Sequence, residues 1–204
     1  MEQDTPPIPE LIRQTLSEPR RAANRILEMD LPASALWQSL VLVVILSVLA
    51  AKVTALITGV EPATGAEMLM AGFTANPLML GFVQGALLVV VVFSVHWIGR
   101  SMGGLGTFEG ALALVTWLQF LLVCLQVAQG LAALILPPLA GLIGLAGIVI
   151  FFWLLTQFVC QLHGFRNPGM VFVMILISML GVVFAMSMLL AVFGAIFLGE
   201  VPNV

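Results

Sequence analysis

The sequence predicts an all-α fold, a polytopic transmembrane bundle of five spans with its N-terminus cytoplasmic and its C-terminus outside. Hydrophobic residues make up 61% of the chain and charged residues 8%, against roughly 25% charged in an ordinary soluble domain. The apolar residues gather into five runs, each long enough for the roughly 20 residues that cross a bilayer. Every charged residue except Lys52 falls outside those runs.

At 204 residues the chain has room for one membrane domain, 36–204, behind a tail, 1–35, and no space for a soluble catalytic domain. Met1 to Pro9 is proline-rich and is assigned no structure. From Glu10 to Asp30 apolar positions recur at helical spacing with Arg13, Arg20, Arg21 and Arg25 largely between them, and Pro19 divides the stretch into two short helices. Such a basic amphipathic lead-in suits the headgroup layer, arginines toward anionic lipid. The same pattern also fits a helix leaning on the bundle's own cytoplasmic face. The first 35 residues lack the basic start and apolar centre of a cleaved signal, so the first span is expected to be retained.

The spans are expected at about 36–57, 78–98, 110–136, 139–162 and 170–198. The first follows Pro32 and Ser34 and contains Lys52, close enough to its end for the ammonium to snorkel outward, paired with Glu61 or Glu67. Thr58 to Pro77 is a loop whose middle, Met68 to Phe73, can lie on the membrane surface. The second span carries Gly81 and Gly85, a GxxxG spacing that lets another backbone approach. Gly103, Gly104 and Gly106 then break the helix, Thr107 caps the next one, and Glu109 sits in its first turn, where the helix dipole favours a carboxylate. Pro137 and Pro138 end the third span and reverse the chain. Gly141, Gly144 and Gly147 give the fourth a close-packing face. The fifth exceeds the ~30 Å hydrocarbon thickness and must tilt or protrude.

Charge sets the orientation. Arg13, Arg20, Arg21, Arg25, Arg100 and Arg166 all fall on one side of a five-span bundle, and the loops of the other side carry no basic residue. By the positive-inside rule the arginine side is cytoplasmic. A reporter fused to the C-terminus should read outside the cytoplasm; a cytoplasmic reading contradicts the five-span count.

The chemistry-bearing residues are sparse. His96, Glu109, Cys160 and His163 fall at the cytoplasmic edge, but without HExxH or CxxC spacing they specify no metal, and no cofactor is expected. The glycine turn has Glu109 where a dinucleotide fingerprint needs glycine, and no lysine of a phosphate loop. Cys124 and Cys160 lie in apolar runs as small hydrophobes. A net charge of -3 without a basic surface disfavours nucleic acid. Within the membrane stand Lys52, Gln84, Thr116, Gln119, Gln126, Gln129, Gln157 and Gln161, which either join helices by hydrogen bonds or line a polar path.

The amphipathic lead-in, the five close-set spans, and the run Gly103-Gly104-Leu105-Gly106-Thr107-Phe108 entering Ala111-Leu112-Ala113-Leu114-Val115 together resemble the Yip domain family, the type-one Ypt-interacting proteins, in its bacterial branch. The resemblance implies a non-enzymatic multi-pass protein, and in eukaryotic members association with Rab-type GTPases. This chain has no tyrosine and lacks the Asp-Leu-Tyr-Gly-Pro element of that branch, so GTPase binding is not carried over. Two functions follow as expectations. One is a partner-binding or membrane-organising bundle in the bacterial cytoplasmic membrane, with the lipid bilayer and, through its GxxxG-like faces, other membrane proteins or itself as partners. The other is a small transporter or channel with a glutamine-lined path.

Overall fold

The computed structural model describes residues 7–59 and 76–198, with the side chains of 189–191 and 193–198 excepted. Among the described residues all regular structure is helical: α1 Ile8–Ser17, α2 Pro19–Glu28, α3 Ala33–Thr58, α4 Pro77–Ser101, α5 Phe108–Ile135, α6 Pro137–His163 and α7 Pro168–Leu198. Helices α3 to α7 are long and apolar enough to cross a membrane, their most apolar windows having mean hydropathies of 2.1 to 2.7.

Local chemistry places the boundaries. Prolines open α2, α4 and α6, where a missing N–H costs nothing because the first turn has no intrahelical acceptor for it. Asn76 Oδ1 accepts from Leu78 N at 2.9 Å and Thr107 Oγ1 from Gly110 N at 3.1 Å, capping α4 and α5. Asn167 Oδ1 accepts from the Gly169 and Met170 amides at the start of α7. Gly59 and Gly164 end α3 and α6 in the left-handed conformation that closes a helix terminus. Only Leu136 separates α5 from α6, so these two run as a tight antiparallel pair.

Helix α5 is central. Its Ala111, Leu112, Leu114, Val115 and Leu118 are buried with Leu36 and Leu40 of α3, Val92 of α4, and Leu154, Phe158 and Val159 of α6. This core occupies the half of the bundle nearest the α4–α5 turn. Helix α7 joins it through Val171 and Ile175, and from Leu176 to Met188 its described side chains are exposed or half-buried. Between α5 and α6, Gly144 and Gly147 are in close approach: a Cβ would lie 2.8 Å from Gln129 Nε2 and 2.5 Å from Leu125 Cδ2 respectively. At Gly141 a Cβ would meet nothing within 4 Å.

The GxxxG of α4 is used differently. A Cβ at Gly81 would rest in ordinary contact with Val48, 3.5 Å away, and one at Gly85 would meet nothing within 4 Å. Among the described residues no neighbouring backbone is pressed against this pair.

The lead-in is docked on the bundle. Helices α1 and α2 form a hairpin broken at Glu18, and Leu11, Ala22, Ala23 and Ile26 are buried in the common core. Their apolar face is therefore covered by protein. Gly110, at the start of α5, lets Leu27 of α2 and Leu162 of α6 close over it, since a Cβ there would stand 3.0 and 2.7 Å from them.

Candidate functional site

The α4–α5 turn and the end of α6 form the best-defined local arrangement. Helix α4 closes with the Gly103 and Gly104 amides donating to the Arg100 and Gly99 carbonyls at 3.0 and 2.9 Å. Gly103 sits at φ +86, a backbone conformation that glycine takes without a Cβ penalty. Gly104 and Gly106 serve another purpose: both are buried against the imidazole of His163, where a Cβ would overlap the ring. Gly99, on the last turn of α4, faces the same ring with the same consequence.

His163 is only 3% exposed, and both ring nitrogens are partnered. The Gly106 amide donates to Nδ1 at 3.2 Å, and Nε2 lies 3.0 Å from the Val95 carbonyl. An amide can only donate, so Nδ1 is the bare acceptor and the proton of a neutral ring sits on Nε2, directed at that carbonyl. The ring stacks on Phe165, centroids 5.6 Å apart and planes 24° apart, and the His163 carbonyl accepts from the Leu105 amide at 3.4 Å. One side chain thus joins the end of α6 to the end of α4 and to the turn.

The other residues of this edge do not converge with it on one point. His96 packs edge-on against Phe108, centroids 5.9 Å apart, and its Nδ1 is buried without a partner. Glu109 is exposed and Cys160 is buried beside Arg20. Among the described residues no three of His, Cys, Asp and Glu are grouped to hold a metal.

The lead-in arginines divide. Arg13, Arg21 and Arg25 are exposed; Arg21 pairs with Glu18 at 2.7 Å, and Arg25 donates to Gln14 at 3.0 Å. Arg20 departs from the lipid-facing expectation. Its Nε donates to Gln157 Oε1 at 2.7 Å, because the same turn of α2 that buries Ala23 turns Arg20 toward α6. Two more polar bonds fasten the hairpin: Gln161 Nε2 donates to Asn24 Oδ1 at 2.8 Å, and Trp117 Nε1 to Thr15 Oγ1 at 3.0 Å. Thr15 in turn donates to the Leu11 carbonyl at 2.7 Å, so its buried hydroxyl is fully used.

Deeper in the membrane region, Ser47 of α3 links three helices. Its Oγ accepts from Gln84 Nε2 at 2.9 Å and donates to Gln126 Oε1 at 3.2 Å, while Gln126 Nε2 donates to the Ser47 carbonyl at 3.3 Å. One turn on, Gly130 packs against Thr54, whose Oγ1 would be 2.5 Å from an added Cβ. Ser47 and Thr54 share a face of α3 at seven-residue spacing. That spacing was the available sequence signal for this seam, and the glutamines alone do not reveal it. Gln119 is half-buried and outside this network, as is Lys52; the expected Glu61 and Glu67 partners, and the Met68 to Phe73 stretch, lie outside the described residues.

A family model described as the Yip1 domain matches residues 13–198. The chain belongs to the Yip1 domain family. The match takes in most of the lead-in and all five apolar helices, so the hairpin α1–α2 lies largely, and the His163 clamp wholly, inside the Yip1 domain. No curated protein and no solved structure matches the chain.

Proposed function

We propose that this Yip1-domain protein is a non-enzymatic bundle that binds partner proteins or organises the membrane around it, in the bacterial cytoplasmic membrane with its arginine-bearing end cytoplasmic. The observation that carries the reading is the use of its intramembrane polar groups. Gln84 and Gln126 are bonded to Ser47, Gln157 to Arg20 and Gln161 to Asn24. Interhelical bonds of this kind are worth about 0.6 to 2 kcal/mol each and hold helices together.

The partner-facing surface in this reading is the glycine-turn end. Leu105 stands 89% exposed there, beside a cleft of about 250 Å³ bordered by Asp30, Leu31, Thr107 and Glu109. Leu31 in the same cleft is exposed as well, and grouped exposed apolar residues within a polar rim have the character of a protein-binding patch. The test is site-specific photocrosslinking in native membranes from position 105, using Leu105→p-benzoylphenylalanine. Discrete protein adducts that disappear with Glu109→Lys are expected; no adducts from 105 or from 31 contradict the reading.

A transporter with a glutamine-lined path is the competing reading. It draws on a crevice of about 380 Å³ between α5 and α6, where Gln126 and Gln129 lie among apolar residues and Gly144 and Gly147.

A further inference from the structure

We propose that His163 is an acid-released latch: a second proton on its ring, at Nδ1, frees the turn from Gly103 to Thr107. The latch is independent of the partner-binding reading. The ring holds the turn only as a neutral base, because Nδ1 must keep its lone pair to accept the Gly106 amide at 3.2 Å. A proton there sets two N–H groups against each other at hydrogen-bond distance, and among the described residues the Gly106 amide has no other acceptor. Turning the ring over does not help, since an imidazolium carries a proton on both nitrogens. Nor is there room to slide aside: Gly99, Gly104 and Gly106 crowd the ring so closely that a Cβ at any of them would overlap it. The ring is buried, so water does not reach the new N–H while the clamp is closed.

The surrounding charges act in the same sense. From α4, Arg100 opposes a cation on the ring, and so does His96 when it is itself protonated. The turn from Met102 to Thr107 holds no titratable group, and neither does Phe165, which stacks on the ring. On α6 the nearest such group is Cys160, beside Arg20, while Arg166 is exposed in the turn that follows and Glu109 of α5 is exposed at the cleft. Among the described residues no carboxylate pairs with the ring.

Closed, the ring excludes the second proton. Open, it meets water and takes that proton at the ordinary imidazole pKa of about 6.5. The open state is the one that binds more protons, so its population should grow about tenfold for each pH unit below that value and stay constant above it. Leu105, Gly106 and Thr107 border the cleft of about 250 Å³, so the same opening redraws the exposed surface at this end of the bundle.

The test is residue-resolved hydrogen exchange on the full chain in phosphatidylcholine nanodiscs, from about pH 7.5 to about pH 5.0, each rate being divided by the intrinsic rate at that pH. The Gly106 amide reports directly, since His163 is its acceptor. Its opening constant should rise about thirtyfold over that range, while the Leu136 amide, bonded to the Ala132 carbonyl at the other end of α5, should stay within about twofold. His163→Asn puts an amide oxygen near the place of Nδ1 with nothing to titrate, and should abolish the rise. His96→Phe keeps a ring against Phe108 and should leave the rise intact. A wild-type opening constant at Gly106 that does not change with pH overturns the proposal whatever the variants do. An equal rise at Leu136 overturns it in favour of general loosening in acid. A rise that survives in His163→Asn, or is lost in His96→Phe, overturns it by assigning the proton to another group.

Discussion

Replacing His163 with alanine is expected to cost about 3–5 kcal/mol of stability, the largest loss from any single side chain at the glycine-turn end. The truncation removes a buried ring, orphans the Gly106 amide that donates to Nδ1, and takes the Nε2 proton from the Val95 carbonyl. A buried donor left unsatisfied costs about 1–3 kcal/mol, and a cavity of this size adds a comparable amount. Cys160, buried one turn before His163, provides the readout. Thermal unfolding in detergent followed by a thiol-reactive dye should show the midpoint about 10 °C lower in His163→Ala. An unchanged midpoint would mean that the ring does not clamp the turn.

The second large effect concerns the glycines that surround this ring. Gly99→Ala and Gly104→Ala each force a methyl into the imidazole, and overpacking of this kind costs about 1–3 kcal/mol. At Gly99 the clash is with ring atoms alone, so it should vanish with the ring: in a His163→Ala background Gly99→Ala should not destabilise further, a coupling of about 1–3 kcal/mol, whereas at Gly104 an added Cβ also meets His163 Cβ at 2.6 Å and should keep part of its penalty. Gly103→Ala behaves differently. Its penalty comes from φ +86 with open space around the position, so it should add to His163→Ala without coupling. Midpoints from the same dye assay complete the cycle, and additive behaviour at Gly99 would separate that glycine from His163.

The contrast between these glycines marks how far the sequence could be read. That the Gly103 to Thr107 stretch would break one helix and cap the next was legible, because turn-forming and capping chemistry is local. Prolines at 19, 77 and 137 and the uninterrupted apolar runs placed the helices for the same reason. What fills the space beside Gly104 and Gly106 was not legible, since His163 comes from the end of another span, 57 residues beyond Gly106. Likewise the amphipathic pattern of the lead-in gave a face to be covered, and the sequence did not say by what. The burial of Leu11, Ala22 and Ala23 against α5 and α6, and the bond from Arg20 to Gln157, answer that. The GxxxG of α4 is a third instance: small residues permit close approach, but at Gly85 none of the described helices makes it.

The glutamines bear most directly on function, because the same residues would join helices or line a path. Gln126 is the decisive one: it is bonded twice to Ser47 and also borders the α5–α6 crevice. Ion and small-solute flux should therefore be measured in proteoliposomes holding the wild-type chain and Gln126→Leu side by side. The bundle reading predicts no selective flux from either, with Gln126→Leu losing stability by about 0.6–2 kcal/mol. Selective flux through the wild-type chain that Gln126→Leu abolishes, at an unchanged folded level, would contradict it and establish a transport path.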